Sequence, residues 1–237
     1  MSSQYFAEEP GAAHRPGLVH VVLPDIHLAL ATDSGVFSPG RLDPGTRLLL
    51  DVAPAPPGCG DLLDLGCGYG ALALVLASRA PAARIWAVDT NRRAIALCER
   101  NAGTAGLANV HCVAVGGANA GGSGLTGSGP RGPGSPRDSR VPGSTVPPQA
   151  GSSPDDARLP GRYDLIWSNP PIRIGKPALH GLLAAWLALL APGAAAYLVV
   201  QRNLGSDSLQ RWLESSGWTA ERYAARAGYR VLEVRRE

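Results

Sequence analysis

Short, largely apolar runs alternate along this chain with longer stretches in which apolar residues recur three and four positions apart. The runs are GDLLDLG (60–66), RIWAVD (84–89), NVHCVAV (109–115), YDLIWS (163–168) and AAAYLVVQ (194–201). Each predicts a strand, and the stretches between them predict helices. These are GALALVLASRA after the first run, NRRAIALCERNAGTAG closed by Gly103 or Gly106 after the second, one around 177–190 stopped by Pro192 and Gly193, and one near 206–216. A strand apolar on both faces must be covered on both, so the pattern predicts α/β architecture with a mostly parallel sheet. WTAERYAA and GYRVLEVRR, joined through a glycine, complete seven strands as an antiparallel C-terminal hairpin on the sheet edge. Ahead of the sheet, LVHVVLP and IHLALAT read as a β-hairpin, and RLDPGTRLLLDVA (41–53) as a helix with Asp43 at the N-cap and Pro44 in its first position.

Residues 116–160 break the alternation. They are rich in Gly, Ser and Pro, with almost no large apolar side chain. Such a segment cannot recover the entropy lost on ordering, so it is expected as a disordered insertion within one domain. The domain reading is therefore an N-terminal extension bearing the hairpin over residues 1–46 and one α/β domain over 47–237.

A chain of 237 residues can bury a full core. No run reaches the roughly 18–20 apolar residues of a membrane span. The start MSSQYFAEEPG has no apolar segment of the kind that directs secretion, so a cytoplasmic protein without a membrane partner is expected. Cys59, Cys67, Cys98 and Cys112 have no metal-site spacing and read as buried thiols; His14, His20, His27, His111 and His180 form no constellation, and no metal is expected. A net charge of +3 permits contact with nucleic acid without demanding it.

Chemistry enters at DLGCGYG (64–70), the turn from the first strand of the sheet to its first helix. Gly66, Gly68 and Gly70 let backbone approach a ligand at the edge where open α/β sheets bind theirs. That spacing also suits a dinucleotide. Asp64 separates the two, because a carboxylate here would repel a pyrophosphate and welcome an ammonium group. Asp89 ends the second strand, where a carboxylate can accept both ribose hydroxyls. An amino acid joined to adenosine without phosphates describes S-adenosylmethionine.

In IWSNPPIRIGKP (166–177), two prolines follow Asn169 directly, giving a stiff turn rich in carbonyls and poor in donors. With DLGCGYG, Asp89 and this SNPP, the chain resembles a class I S-adenosylmethionine-dependent methyltransferase. GVFSPGRLDPGTRLLL, SNPPIRIGK and AGYRVLEV are similar to the catalytic half of the small-subunit ribosomal RNA guanine-N2 methyltransferases, the "methyltransferase small" domain family. The resemblance covers about residues 35–115 and 160–235 and implies a Rossmann-like fold. It implies S-adenosylmethionine held by Asp64, Gly66, Cys67, Gly68, Gly70, Asp89, Thr90 and Asn169, with Asn169 and Pro170 catalytic and Pro171, Ile172, Arg173 and Lys176 against the substrate. The acceptor it implies is guanine N2 in ribosomal RNA, with that RNA or a small-subunit particle as partner. Adenine N6, glutamine N5 and a catalytically silent assembly factor stand as alternatives; a dinucleotide oxidoreductase is disfavoured by Asp64.

An aromatic amine is a poor nucleophile because its lone pair is delocalised into the ring. Two acceptors aimed at its N–H bonds favour a geometry in which that pair faces the sulfonium methyl, and proline rigidity holds the acceptors still. No strong base is needed, since the proton can leave once the nitrogen is cationic. Ile172 stands where many N-methyltransferases place a stacking aromatic ring. Arg173 and Lys176 are placed to pair with a phosphate. Phe37, Arg226 and Arg230 read as packing or surface, and Asp155 or Asp156 as a polar group near the adenine.

Overall fold

The computed structural model describes residues 11–116 and 159–236. The antiparallel strands β1 (Gly17–Val22) and β2 (His27–Thr32) form the expected hairpin. Helix α1 (Pro44–Val52) follows, capped by Asp43, whose side chain accepts from the Thr46 backbone N–H. Then come β3 (Cys59–Leu65), α2 (Ala71–Arg79), β4 (Ala82–Asp89), α3 (Arg92–Ala105), β5 (Val110–Ala114), β6 (Tyr163–Ser168), α4 (Lys176–Leu187), β7 (Leu190–Gln201), α5 (Ser206–Ser215), β8 (Trp218–Arg226) and β9 (Tyr229–Arg236). Seven strands make one sheet in the order β5-β4-β3-β6-β7-β9-β8. The first five in that order run parallel; β9 pairs antiparallel with both β7 and β8.

Alternate side chains of each strand feed opposite faces. Leu62, Ile85, Trp167 and Val199 pack with the N-terminal hairpin, α1, α2 and α3; Leu63, Trp86, Ile166 and Leu198 pack with α4 and α5. The hairpin belongs to the first of these layers, and Asn101 of α3 fixes it: its Oδ1 accepts from Ala31 N–H at 2.8 Å, and its Nδ2 donates to the carbonyls of Ala31 and Tyr69. The boundary expected after residue 46 therefore falls inside α1.

Two expectations need correction. Pro192 and Gly193 do not stop α4, which ends at Leu187; they lie inside β7. The register with β6 jumps from Tyr163↔Leu190 to Leu165↔Ala195, so the breakers form a bulge in a strand. Of the four cysteines expected as buried thiols, Cys67 and Cys98 are buried, Cys112 is half-buried and Cys59 is exposed at the start of β3. Residues 117–158, which include most of the Gly/Ser/Pro-rich insertion with Asp155 and Asp156, lie outside the described residues. No described helix is long and apolar enough to cross a membrane.

Candidate active site

Strand pairing brings the motifs together at one edge of the sheet. Leu65 is paired with Val88 on one side and with Ser168 on the other. Gly66, Asp89 and Asn169 therefore leave three neighbouring strands at the same level. The Ser168 hydroxyl donates to the Leu65 carbonyl at 2.7 Å, tying the two central strand ends.

The glycine loop is held by backbone bonds and by Asp89. Gly66 and Cys67 N–H both donate to the Val88 carbonyl, and Gly68 N–H donates to Asp89 Oδ2 at 2.9 Å. Asp89 Oδ1 accepts from Asn91 N–H at 2.9 Å, and Thr90 N–H is a third backbone donor to this carboxylate. Burial raises the Asp89 pKa despite the N–H groups of Asn91, Gly68 and Thr90. Gly66 and Gly68 have positive φ, and a Cβ on either would project into open space beside the loop. Gly70 answers to a different constraint: a Cβ there would come within 2.7 Å of Cys98 Sγ and Leu74 Cδ1, so its bareness serves the packing of α2 on α3. The Cys67 side chain is buried, and its thiol donates to the Gly68 carbonyl at 3.6 Å.

Asp64 is fully buried. Its Oδ2 accepts from Ala73 N–H at 2.9 Å in the first turn of α2, and its Oδ1 has no hydrogen-bond partner. Burial above all, with the nearby charge of Asp89, pushes its carboxyl up to about 8 against the pull of the Ala73 N–H. Among the described residues no group of three or more His, Cys, Asp or Glu is arranged to hold a metal ion.

Asn169 occupies the elbow after β6. Its Nδ2 donates to Asp43 Oδ2 at 2.8 Å and to Thr46 Oγ1 at 3.0 Å, which leaves Oδ1 as the unbound end. Pro171 has φ −75° and ψ 73°, and Ile172 N–H returns to the Pro170 carbonyl at 2.8 Å, closing an inverse γ-turn. One lone pair of that carbonyl stays unused. Ile172 and Ile174 lean on the core cluster beneath α4, Arg173 is exposed, and Lys176 is the exposed first residue of α4. Phe37 is 45% exposed, in the turn whose Gly35 carbonyl accepts from Asn91 Nδ2. Asp43 was legible in the sequence as a helix N-cap, with no sign of its contact with Asn169, and Thr46 carried no signal.

The parallel sheet with its antiparallel pair, the glycine loop after the first sheet strand and the elbow after the fourth define the class I S-adenosylmethionine-dependent methyltransferase fold. Residues 27–121 match the family described as "Methyltransferase small domain". A Bacillus subtilis relative, "Uncharacterized protein YbxB", is 27% identical over 236 residues and matches the whole of both chains. "Ribosomal RNA small subunit methyltransferase C" of Pseudomonas aeruginosa is 48% identical over 73 residues, 31% of this chain and 22% of that one. The structure "T. Thermophilus 16S rRNA N2 G1207 methyltransferase (RsmC) in complex with AdoMet and Guanosine" aligns with a TM-score of 0.62 at 19% identity, covering 94% of this chain and 51% of that one. The chain thus spans about half of that solved protein and about a fifth of the Pseudomonas relative.

Proposed function

We propose that the chain transfers a methyl group from S-adenosylmethionine to the exocyclic N2 of a guanine in small-subunit ribosomal RNA. The observation that carries this is the Asn169 amide, turned by Asp43 and Thr46 so that Oδ1 faces away from them, directly after β6, the strand paired with the one that leads into the glycine loop.

The residues present suit the cofactor. Asp64 Oδ1 is a buried acceptor without a donor, which an ammonium group would supply. Asp89, with three backbone N–H groups on a carboxylate that can take about four donors, keeps acceptor capacity for a ribose hydroxyl, and the bare faces of Gly66 and Gly68 admit the ligand against backbone. Cys67 and Thr90 would contribute through backbone and Gly70 through loop shape. When bound, S-adenosylmethionine supplies an electrophilic methyl on a sulfonium. Asn169 Oδ1 and the remaining Pro170 lone pair accept the two N–H bonds of the incoming amine and aim its lone pair across the strand junction. The nitrogen's lone pair forms the bond to the methyl carbon as the methyl–sulfur bond breaks, with that bonding pair left on sulfur as a neutral thioether, and the cationic nitrogen then releases its proton to water.

Lys176 sits in the first turn of α4, where a helix dipole opposes a cation. Its placement serves a phosphate better than it serves the helix, and the exposed Arg173 precedes it by three residues. A guanine target agrees with the small-subunit relative and with the guanosine complex of the solved protein. The test is to incubate the full chain with methyl-labelled cofactor and separate ribosomal RNA, DNA and protein fractions, then digest the labelled fraction. Label in N2-methylguanosine supports the proposal; label in N6-methyladenosine or methylglutamine moves it to those acceptors. Cofactor binding with no labelled fraction contradicts transfer.

A further inference from the structure

We propose that Asp43 and Thr46 act as positioning residues: together they fix which end of the Asn169 amide faces the methyl acceptor, and so restrict that acceptor to a nitrogen bearing N–H. The inference rests on the reading of this site as a methyl-transfer site. An asparagine amide is nearly the same shape when turned end for end, so its orientation is decided by its neighbours. A carboxylate can only accept, and Asp43 Oδ2 lies 2.8 Å from the Asn169 side chain. The NH2 end must face it. Thr46 Oγ1 takes the other N–H at 3.0 Å, so both amide donors are used inside the protein and only an acceptor remains.

The pair is itself held. Asp43 Oδ2 also accepts from Thr46 N–H at 2.9 Å, and Asp43 and Thr46 are 9% and 6% exposed. Between them Gly45 has no space for a side chain: a Cβ would come within 2.7 Å of the Tyr229 ring and 3.0 Å of Asp43 Oδ2. Tyr229, the first residue of β9, thus closes the turn from outside while Leu48, Leu49 and Leu50 anchor α1 in the core. An amide flipped in this setting would bring its carbonyl against the carboxylate and would point N–H at an incoming amine. Such a site would reject the acceptor it now receives.

The test uses the full chain and two pairs of substitutions. Asp43→Ser keeps an N-cap but is too short to reach Asn169, and Thr46→Val keeps the shape but removes the acceptor. Each should lower kcat about tenfold and the double variant about a hundredfold, with KM for S-adenosylmethionine unchanged. Asp43→Asn, which can place an oxygen where Oδ2 lies, and Thr46→Ser should recover most of the loss. Equal activity in disruptive and conservative variants would overturn the proposal.

A second measurement needs no turnover. Hydrogen exchange of the Asn169 side-chain amide, followed in asparagine-labelled protein and assigned by its absence from Asn169→Ala, should be at least about tenfold slower than in a free amide and should lose that protection in the double variant. Unprotected exchange in the native protein would overturn the latch. A native protein that protects this amide yet methylates nothing would instead refute the methyl-transfer reading.

Discussion

Asp64 and Asp43 are both carboxylates withdrawn from water at the same edge of the sheet, but their surroundings differ in kind. Asp43 is satisfied from within: one oxygen caps α1 through Thr46 N–H and holds the Asn169 amide. Asp64 is starved, with a single N–H from Ala73, complete burial and a second carboxylate nearby. A satisfied buried acid fixes the geometry of what it touches. An under-satisfied one prefers its neutral form until a cation arrives, and that preference turns a structural cost into ligand affinity. Under the proposed function, the same residue type thus aims the acceptor at one end of the site and binds charge at the other.

The largest effect is expected from the side chain that Asp43 orients. Asn169→Ala should lower kcat by about 10²–10³-fold and leave the cofactor dissociation constant within about threefold, by steady-state kinetics and calorimetry. Native turnover in this variant would mean that Asp43 holds nothing the reaction needs.

Asp64→Asn should reverse that division of effects, weakening S-adenosylmethionine binding about a hundredfold. The same variant, without ligand, should melt about 3 °C or more higher at pH 7, because it removes a buried group that resists ionising. A lower melting temperature would show that Asp64 is structural, like Asp43.

The pH dependence of the ligand-free protein sharpens the contrast. Burial pushes the Asp64 carboxyl up to about 8 in the folded chain from its ordinary value of 3.8, so the folded state keeps a proton that the unfolded state loses. Its stabilising share is complete below the lower value and is lost as pH rises through the upper one. Asp89, also raised, acts in the same direction. The melting temperature should therefore decline between about pH 5 and 8, and less steeply in Asp64→Asn; equal slopes would remove Asp64 as the source.

The smallest effect is assigned to Gly45→Ala, which drives a Cβ against Tyr229 and Asp43. A kcat loss of about fivefold and a melting decrease of about 2–4 °C are expected, with cofactor affinity unchanged. Altered cofactor affinity would indicate that the two ends of the site are mechanically coupled.

Most of this fold could be read from the chain, because a strand buried on both faces leaves an apolar run that little else produces. YDLIWS is β6 to the residue, and Asp43 and Pro44 open α1 as their side chains dictate. Pro192 and Gly193 misled because breakers look alike whether they end a helix or bulge a strand. At the site, Asp64, Asp89 and Asn169 stand beside the turns they serve, so local sequence brings them to notice. The contact of Asp43 with Asn169 spans 126 positions and depends on α1 packing beside β7 and β9, which no local pattern encodes. Gly70 illustrates a subtler loss: its place in a glycine motif suggests room for a ligand, while the occupant of that room is Cys98.

Calorimetric titration of S-adenosylmethionine into the full chain at about pH 6.5, in two buffers of different ionisation enthalpy, reads binding and proton exchange together. Binding with close to one proton released, and no release in Asp64→Asn, is the expected result, since the ammonium would draw the carboxyl into its charged form. No heat of binding, or binding with no proton released by the native chain, would contradict the role given to Asp64.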